Sequence, residues 1–125
     1  MVTTKSKKQN YLTEVQTGEN IFYSDVAVDH GGSGQYASPG ELFASSYAAC
    51  LNITTRMVLD RKQYDYEEVI VQVELDNENL DELKFYTHIE IVGDIEQEEK
   101  EKIIQKVKRC PVGRMMRANK EFLDQ

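Results

Sequence analysis

From Ser38 to Gln63 the chain reads SPGELFASSYAACLNITTRMVLDRKQ, an apolar segment too long for a strand, with a cysteine near its middle. Its length and spacing predict one long helix. Ser38 is placed to cap it. Pro39 suits the first helical position, where its missing N–H would be unpaired anyway, and Glu41 completes an S-x-x-E capping box. Phe43, Ser46, Tyr47, Cys50, Ile53, Thr54 and Met57 share one face at helical spacing, while Leu42, Ala49 and Leu51 make other faces apolar as well. A helix apolar nearly all round is expected to be central and buried. Ala44, Ser45, Ser46, Ala48 and Ala49 would let another backbone or a ligand come close to the cysteine sulfur. Charges return at Arg56, Asp60, Arg61 and Lys62, where the helix should leave the core.

The chain has 125 residues, the length of a single domain with an ordinary core, so residues 1–125 are expected to form one domain. A formal net charge of -7 would repel a phosphate backbone, and no basic run interleaved with aromatics compensates, which argues against nucleic acid. The first ten residues, MVTTKSKKQN, carry positive charge with no apolar stretch behind them, unlike a secretory signal. The longest apolar run is broken by Ser, Thr and Asn and is too short to span a bilayer. These features lead us to expect a soluble cytoplasmic protein with no membrane partner. Two cysteines are too few for a disulfide scaffold.

Residues 1 to 10 are polar and predict a loosely ordered lead-in. Tyr11 to Val15 and Ile21 to Val28 read as strands around a turn at Gln16 to Asn20, where Gly18 suits a tight hairpin. The glycine-rich DHGGSGQYAS that follows matches no phosphate cradle and reads as an approach loop to the helix cap. Beyond the helix, Tyr64 to Asp76 alternates, with Val69, Val71, Val73 and Leu75 on one face. Leu83, Phe85, Thr87, Ile89 and Ile91 alternate in the next run, and the two strands should pair antiparallel. Asp94 is placed to cap a second helix, with Gln97 at its third position and Ile103, Ile104 and Val107 as its apolar stripe. Cys110 would extend that face by one more turn, and Pro111 after it pushes Cys110 off the helical region and marks the boundary. The tail VGRMMRANKEFLDQ is expected to hold a short helix and a terminal strand.

Cys50 and Cys110 lie 60 residues apart, each expected to face inward from a helix. Two readings stand: buried free cysteines acting as small hydrophobes, or a reactive pair. His30 and His88 offer nitrogen ligands beside the cysteines, but no C-x-x-C or H-x-x-x-H spacing supports zinc, so no metal is expected. A reactive thiol needs its thiolate stabilised. Cys50 lies roughly 17 Å from its helix start at about 1.5 Å per residue, beyond the reach of the dipole. A cation must therefore come from elsewhere.

PGELFASSYAAC followed by LNITTRMVLDRKQ, the alternating strands, IVGDIEQEEKEKII and KRCPVGRMMRAN together resemble the OsmC/Ohr family of thiol-dependent peroxidases, over about residues 31 to 119. The resemblance implies an α+β fold, a strongly curved antiparallel sheet around two central helices, in an intertwined homodimer with active sites at the interface. In such proteins a first cysteine attacks an organic hydroperoxide and its sulfenic acid condenses with a second cysteine. Cys50 would be the peroxidatic residue and Cys110 the resolving one. A dithiol donor, lipoylated protein in the best-described branch, reduces the disulfide, so no built-in cofactor is implied. Highly active members resemble one another in an N-terminal arginine paired with a glutamate ahead of the cysteine helix. This chain has no arginine before Arg56, and its Glu41 stands where the OsmC-like branch carries it. Glu41 would orient whichever cation serves, with Arg109 and Arg114, beside Cys110, as the candidates. The alternative implied by the missing arginine is a non-catalytic protein of the same fold that binds a small apolar ligand or senses redox state.

Overall fold

In a computed structural model that describes residues 1–125, Val2–Ser6 (β1) pairs antiparallel with Thr13–Thr17 (β2), which pairs antiparallel with Asn20–Ser24 (β3). The lead-in expected for residues 1 to 10 is thus largely a strand. Val2, Thr3 and Thr4 are β-branched and favour an extended chain, and pairing with β2 satisfies their backbone groups. All five β1 residues are exposed, so no apolar alternation announced it. The hairpin between β2 and β3 turns on only two residues, because Thr17 pairs with Asn20. Gly18 sits first in that turn at φ 58°, the left-handed setting a type II′ hairpin asks of its first position. A single 3-10 turn, Val28–His30, opens the glycine-rich loop. Met1–Phe43 forms one compact unit and Ala44–Gln125 a second.

Helix α1, Pro39–Arg61, begins and ends close to its expected limits. Its capping box is formed: the Ser38 N–H and hydroxyl donate to Glu41 Oε1 at 3.3 and 3.0 Å, and the Glu41 N–H donates to Ser38 Oγ at 3.2 Å. At the other end Gln63 turns left-handed at φ 61°. There the Tyr64 N–H reaches Leu59 O at 3.0 Å and the Gln63 N–H reaches Asp60 O at 3.0 Å, the paired bonds of a Schellman stop.

The second unit closes its core over one face of α1. Glu68–Asp76 (β4) and Lys84–Val92 (β5) pair antiparallel, with Val69 opposite Ile91, Val71 opposite Ile89 and Leu75 opposite Phe85. The inward residues are those the alternation selected. Gln97–Val107 (α2) adds Ile103 and Val107, each 1% exposed, from its expected stripe. Its cap differs from expectation. Ile95 N–H bonds to Gly93 O in a tight turn, so Asp94 is spent before the helix and Glu96 takes the N-cap position. From α1 the core receives Tyr47, Leu51, Val58 and Leu59 with the polar Thr55, whose hydroxyl donates to Leu51 O at 2.7 Å. Burying a side chain the size of Leu51 contributes about 1.5–3 kcal/mol. Asn52 ties helix to sheet by donating to Val69 O at 2.9 Å.

Helix α1 is therefore not buried on every face as expected, although Tyr47 is buried. Phe43, Ile53 and Met57 are 40%, 45% and 58% exposed. With several faces apolar, hydrophobicity could not rank them, and β4 and β5 took the one carrying Leu51 and Val58. Residues 118–125 form no strand, which removes the expected terminal one. No helix is long and apolar enough to cross a membrane.

Candidate active site

Cys110 does not ride on α2. That helix ends at Val107, and Cys110 occupies the N-cap of a third helix, α3 (Pro111–Arg117), with φ -60° and ψ 158°. Proline at 111 explains both facts. It disfavours helical geometry at the residue before it, and it fits the first helical position, where no N–H is needed. The Cys110 side chain is 1% exposed and packs in the core with Ile103 and Val107, so its inward direction and its place off the helical region before Pro111 are both as expected.

The same turn brings the two cysteines together. The Val112 N–H, one of the first-turn amides that a helix leaves without an internal partner, donates to Cys50 Sγ at 3.4 Å. Thr54 Oγ1 lies 4.0 Å from the same sulfur, one turn along α1. Burial pushes the Cys110 thiol up from its ordinary value. The neighbouring Cys50 pushes the same way, against the N–H groups of Gly113 and Val112. Cys110 is thus held as a neutral thiol next to Cys50, both sulfurs beside the opening turn of α3. Cys50 is partly exposed, whereas Cys110 is sealed.

Gly113 makes the close approach possible. A Cβ at this position would stand 3.1 Å from the Tyr47 ring and 3.3 Å from Lys108 O, tighter than side chains normally sit. Tyr47 is itself fixed edge-on against Phe85, with ring centroids 5.5 Å apart. A larger residue at 113 would lift α3 away from α1 and carry the Val112 amide with it.

The sequence singled out Cys50, Cys110 and Glu41. Of these, the two cysteines meet. Glu41 belongs to the first unit, where its carboxylate takes the Ser38 N–H and hydroxyl of the helix cap. Arg109 and Arg114 are exposed and line a surface cleft with Lys108 and Arg117. The donor that sequence reasoning missed is the Val112 amide. Its signal was in the text: in C-P-V-G, proline marks a helix start, and the next residue offers the first free N–H.

Residues 32–122 match the family model described as OsmC-like protein. An organic hydroperoxide resistance protein-like protein of Mycoplasma genitalium is 35% identical over 91 residues, which cover 69% of this chain and 64% of that relative's length. The crystal structure of an OsmC-like protein from Mycoplasma pneumoniae superposes with a TM-score of 0.80 at 18% identity, covering 94% of this chain and 86% of that one. That of an organic hydroperoxide resistance protein OsmC from Legionella pneumophila, also described as a predicted redox protein, gives 0.67 at 25% identity, covering 95% and 89%. The α+β fold expected from the resemblance is the one these structures share, and the chain belongs to the OsmC/Ohr family.

Proposed function

We propose that the protein is a thiol-dependent peroxidase that reduces organic hydroperoxides. The observation that carries this reading is the placement of the Cys50 sulfur, partly exposed, beside the buried Cys110 thiol and under the Val112 N–H. The names of the Mycoplasma genitalium and Legionella relatives support it. In the first step the Cys50 thiolate attacks the outer peroxide oxygen. The O–O bond breaks, Cys50 becomes a sulfenic acid, and the alkoxide leaves as the alcohol after taking a proton. In the second, the Cys110 sulfur attacks the sulfenic sulfur, water leaves, and a Cys50–Cys110 disulfide remains. A dithiol then returns two electrons. The Val112 N–H, 3.4 Å from the Cys50 sulfur, would hold charge on the attacking thiolate in the first step, and Glu41 would serve by fixing the first turn of the helix that carries Cys50.

The proposed working form is a cytoplasmic homodimer. Ala49, Ile53 and Met57 follow one another at helical spacing on α1, all exposed, and a second copy related by a two-fold axis would cover them. A cavity of about 470 Å³ in the first unit, lined by Val15, Val26, Pro39 and Leu42 among others, favours the second reading, a binder of small apolar ligands. Consumption of cumene hydroperoxide with dithiothreitol separates the two. The enzymatic reading expects turnover in the wild type, none in Cys50→Ser, and a dimedone-trapped sulfenic acid in Cys110→Ser. Equal rates for wild type and Cys50→Ser would discard it.

A further inference from the structure

Between Glu101 and Glu121 the chain carries Lys102, Lys106, Lys108, Arg109, Arg114, Arg117 and Lys120 and not one acidic residue, although acids outnumber bases 22 to 15 overall. The fold gathers four of these cations. Lys108, Arg109, Arg114 and Arg117 line an open cleft of about 620 Å³, with Gln105 and Ala118 completing it. The ion pairs of the chain lie elsewhere, at Lys7–Glu14, Lys62–Glu99 and Glu98–Lys102. Arg117 spends one N–H on Gly113 O at 3.3 Å, and no carboxylate stands within ion-pair reach of any of the four. An acidic chain that folds its spare carboxylates away from one basic cleft leaves that cleft complementary to a negatively charged surface.

The position of the cleft narrows what would use it. Lys108 and Arg109 immediately precede Cys110, and Arg114 and Arg117 stand on α3, the helix Cys110 caps. We propose that this cleft docks an acidic protein segment that carries the reducing dithiol; the inference rests on the peroxidase reading above. One thiolate of the docked partner attacks a sulfur of the Cys50–Cys110 disulfide, forming a mixed disulfide and releasing the other cysteine as a thiol. The partner's second thiol then displaces the remaining cysteine. The partner leaves as a disulfide, and two electrons and two protons have passed to the pair. Recognition by charge suits such a partner, since it must arrive fast, react and leave, and steering raises the rate of encounter. A long polyanion is disfavoured, because beyond the cleft it would run over a surface dominated by carboxylates.

The test uses synthetic dithiol peptides with two cysteines two residues apart, flanked either by glutamates or by glutamines. Binding is read by fluorescence anisotropy, and reduction by the rate at which the oxidised protein regains two thiols. At low salt the glutamate peptide should bind, and reduce at least about tenfold faster than the glutamine peptide. That advantage should fade as salt shortens the screening length toward about 8–10 Å. Lys108→Glu/Arg117→Glu should remove both binding and advantage, Lys108→Gln/Arg117→Gln should give an intermediate loss, and dithiothreitol should reduce every variant at the wild-type rate. No binding, equal rates for the two peptides, or an undiminished advantage in the charge-reversed variant would overturn the docking surface. Tighter binding of inorganic phosphate or of a single-stranded oligonucleotide than of the glutamate peptide would do the same. Absence of hydroperoxide turnover with dithiothreitol would instead reject the peroxidase reading, and the anisotropy measurement would still decide the cleft.

Discussion

Treating the reduced protein with one equivalent of cumene hydroperoxide should raise its stability, because the Cys50–Cys110 bond ties together residues 60 apart in the chain. The loss of loop entropy in the unfolded state for a closure of this length is about 14 cal/mol/K, or about 4 kcal/mol at 25 °C. Part of that gain is offset in the native state. Cys110 must leave its sealed position, and the Val112 N–H must give up its bond to the Cys50 sulfur. Losing one hydrogen bond costs about 0.5–1.5 kcal/mol. A net gain of about 2–4 kcal/mol is therefore expected. Urea unfolding at fixed protomer concentration reads it, with mass spectrometry establishing that each chain has lost two hydrogens and with Cys50→Ser as the unresponsive control. Holding concentration constant matters because any association also shifts the apparent midpoint. An oxidised monomeric chain no more stable than the reduced one would show that the bridge distorts the fold as much as it restrains the unfolded chain. The restraint argument would then be refuted, whereas a chain that loses no hydrogens on treatment would refute the two-cysteine cycle itself.

Two further outcomes follow from titratable groups. Cys110 has its folded value raised above the ordinary 9.0, first by burial, so the stability linked to it is fully present below about pH 9 and is lost as pH rises through the folded value. Thermal unfolding of the reduced wild type between pH 7 and 11 should fall more steeply above pH 9 than that of Cys110→Ala; parallel curves would contradict the burial argument. Asp25, buried in the first unit, is lowered from 3.8 chiefly by the Ser33 hydroxyl, with the Tyr36 N–H assisting. Its contribution is present above about pH 3.8 and is lost as pH falls through the folded value, so Ser33→Ala should be less stable than wild type at pH 7 and the two should converge as pH falls through that value. A difference independent of pH would mean that Ser33 acts through packing instead.

What the sequence revealed and what it hid follow from how each signal is encoded. The long helix, its capping box, the β2–β3 hairpin and the β4–β5 pair were legible because each is written locally, in a cap, a turn glycine or an alternation. Strand β1 was not, since a five-residue exposed edge has no apolar period and is specified only by the neighbour it pairs with. The inward face of α1 was hidden for the opposite reason, an excess of apolar positions, so tertiary packing made the choice. At the site, the identities of the two cysteines were readable. That Pro111 takes Cys110 off the helical region was readable as well; that Cys110 then occupies the cap of the next helix was not, and Lys108 and Arg109 form the turn between the two helices.

Cys50 takes its polar contact from a backbone amide. A sulfur in the middle of a helix cannot use that helix's own amides, which are committed to carbonyls one turn back. Any N–H that meets it must come from an element with amides to spare, and a helix start is the commonest such element. Cys-Pro-Val-Gly builds one with little freedom in its placing. Proline ends the preceding geometry and contributes no N–H, valine supplies the first free amide, and glycine removes the Cβ that would hold the turn away from Tyr47. The Cys110 thiol and the donor to the Cys50 sulfur therefore belong to one turn. The same short helix bears Arg114 and Arg117, which line the basic cleft, so the donor to the Cys50 sulfur and half of the cleft's cations are held by one element.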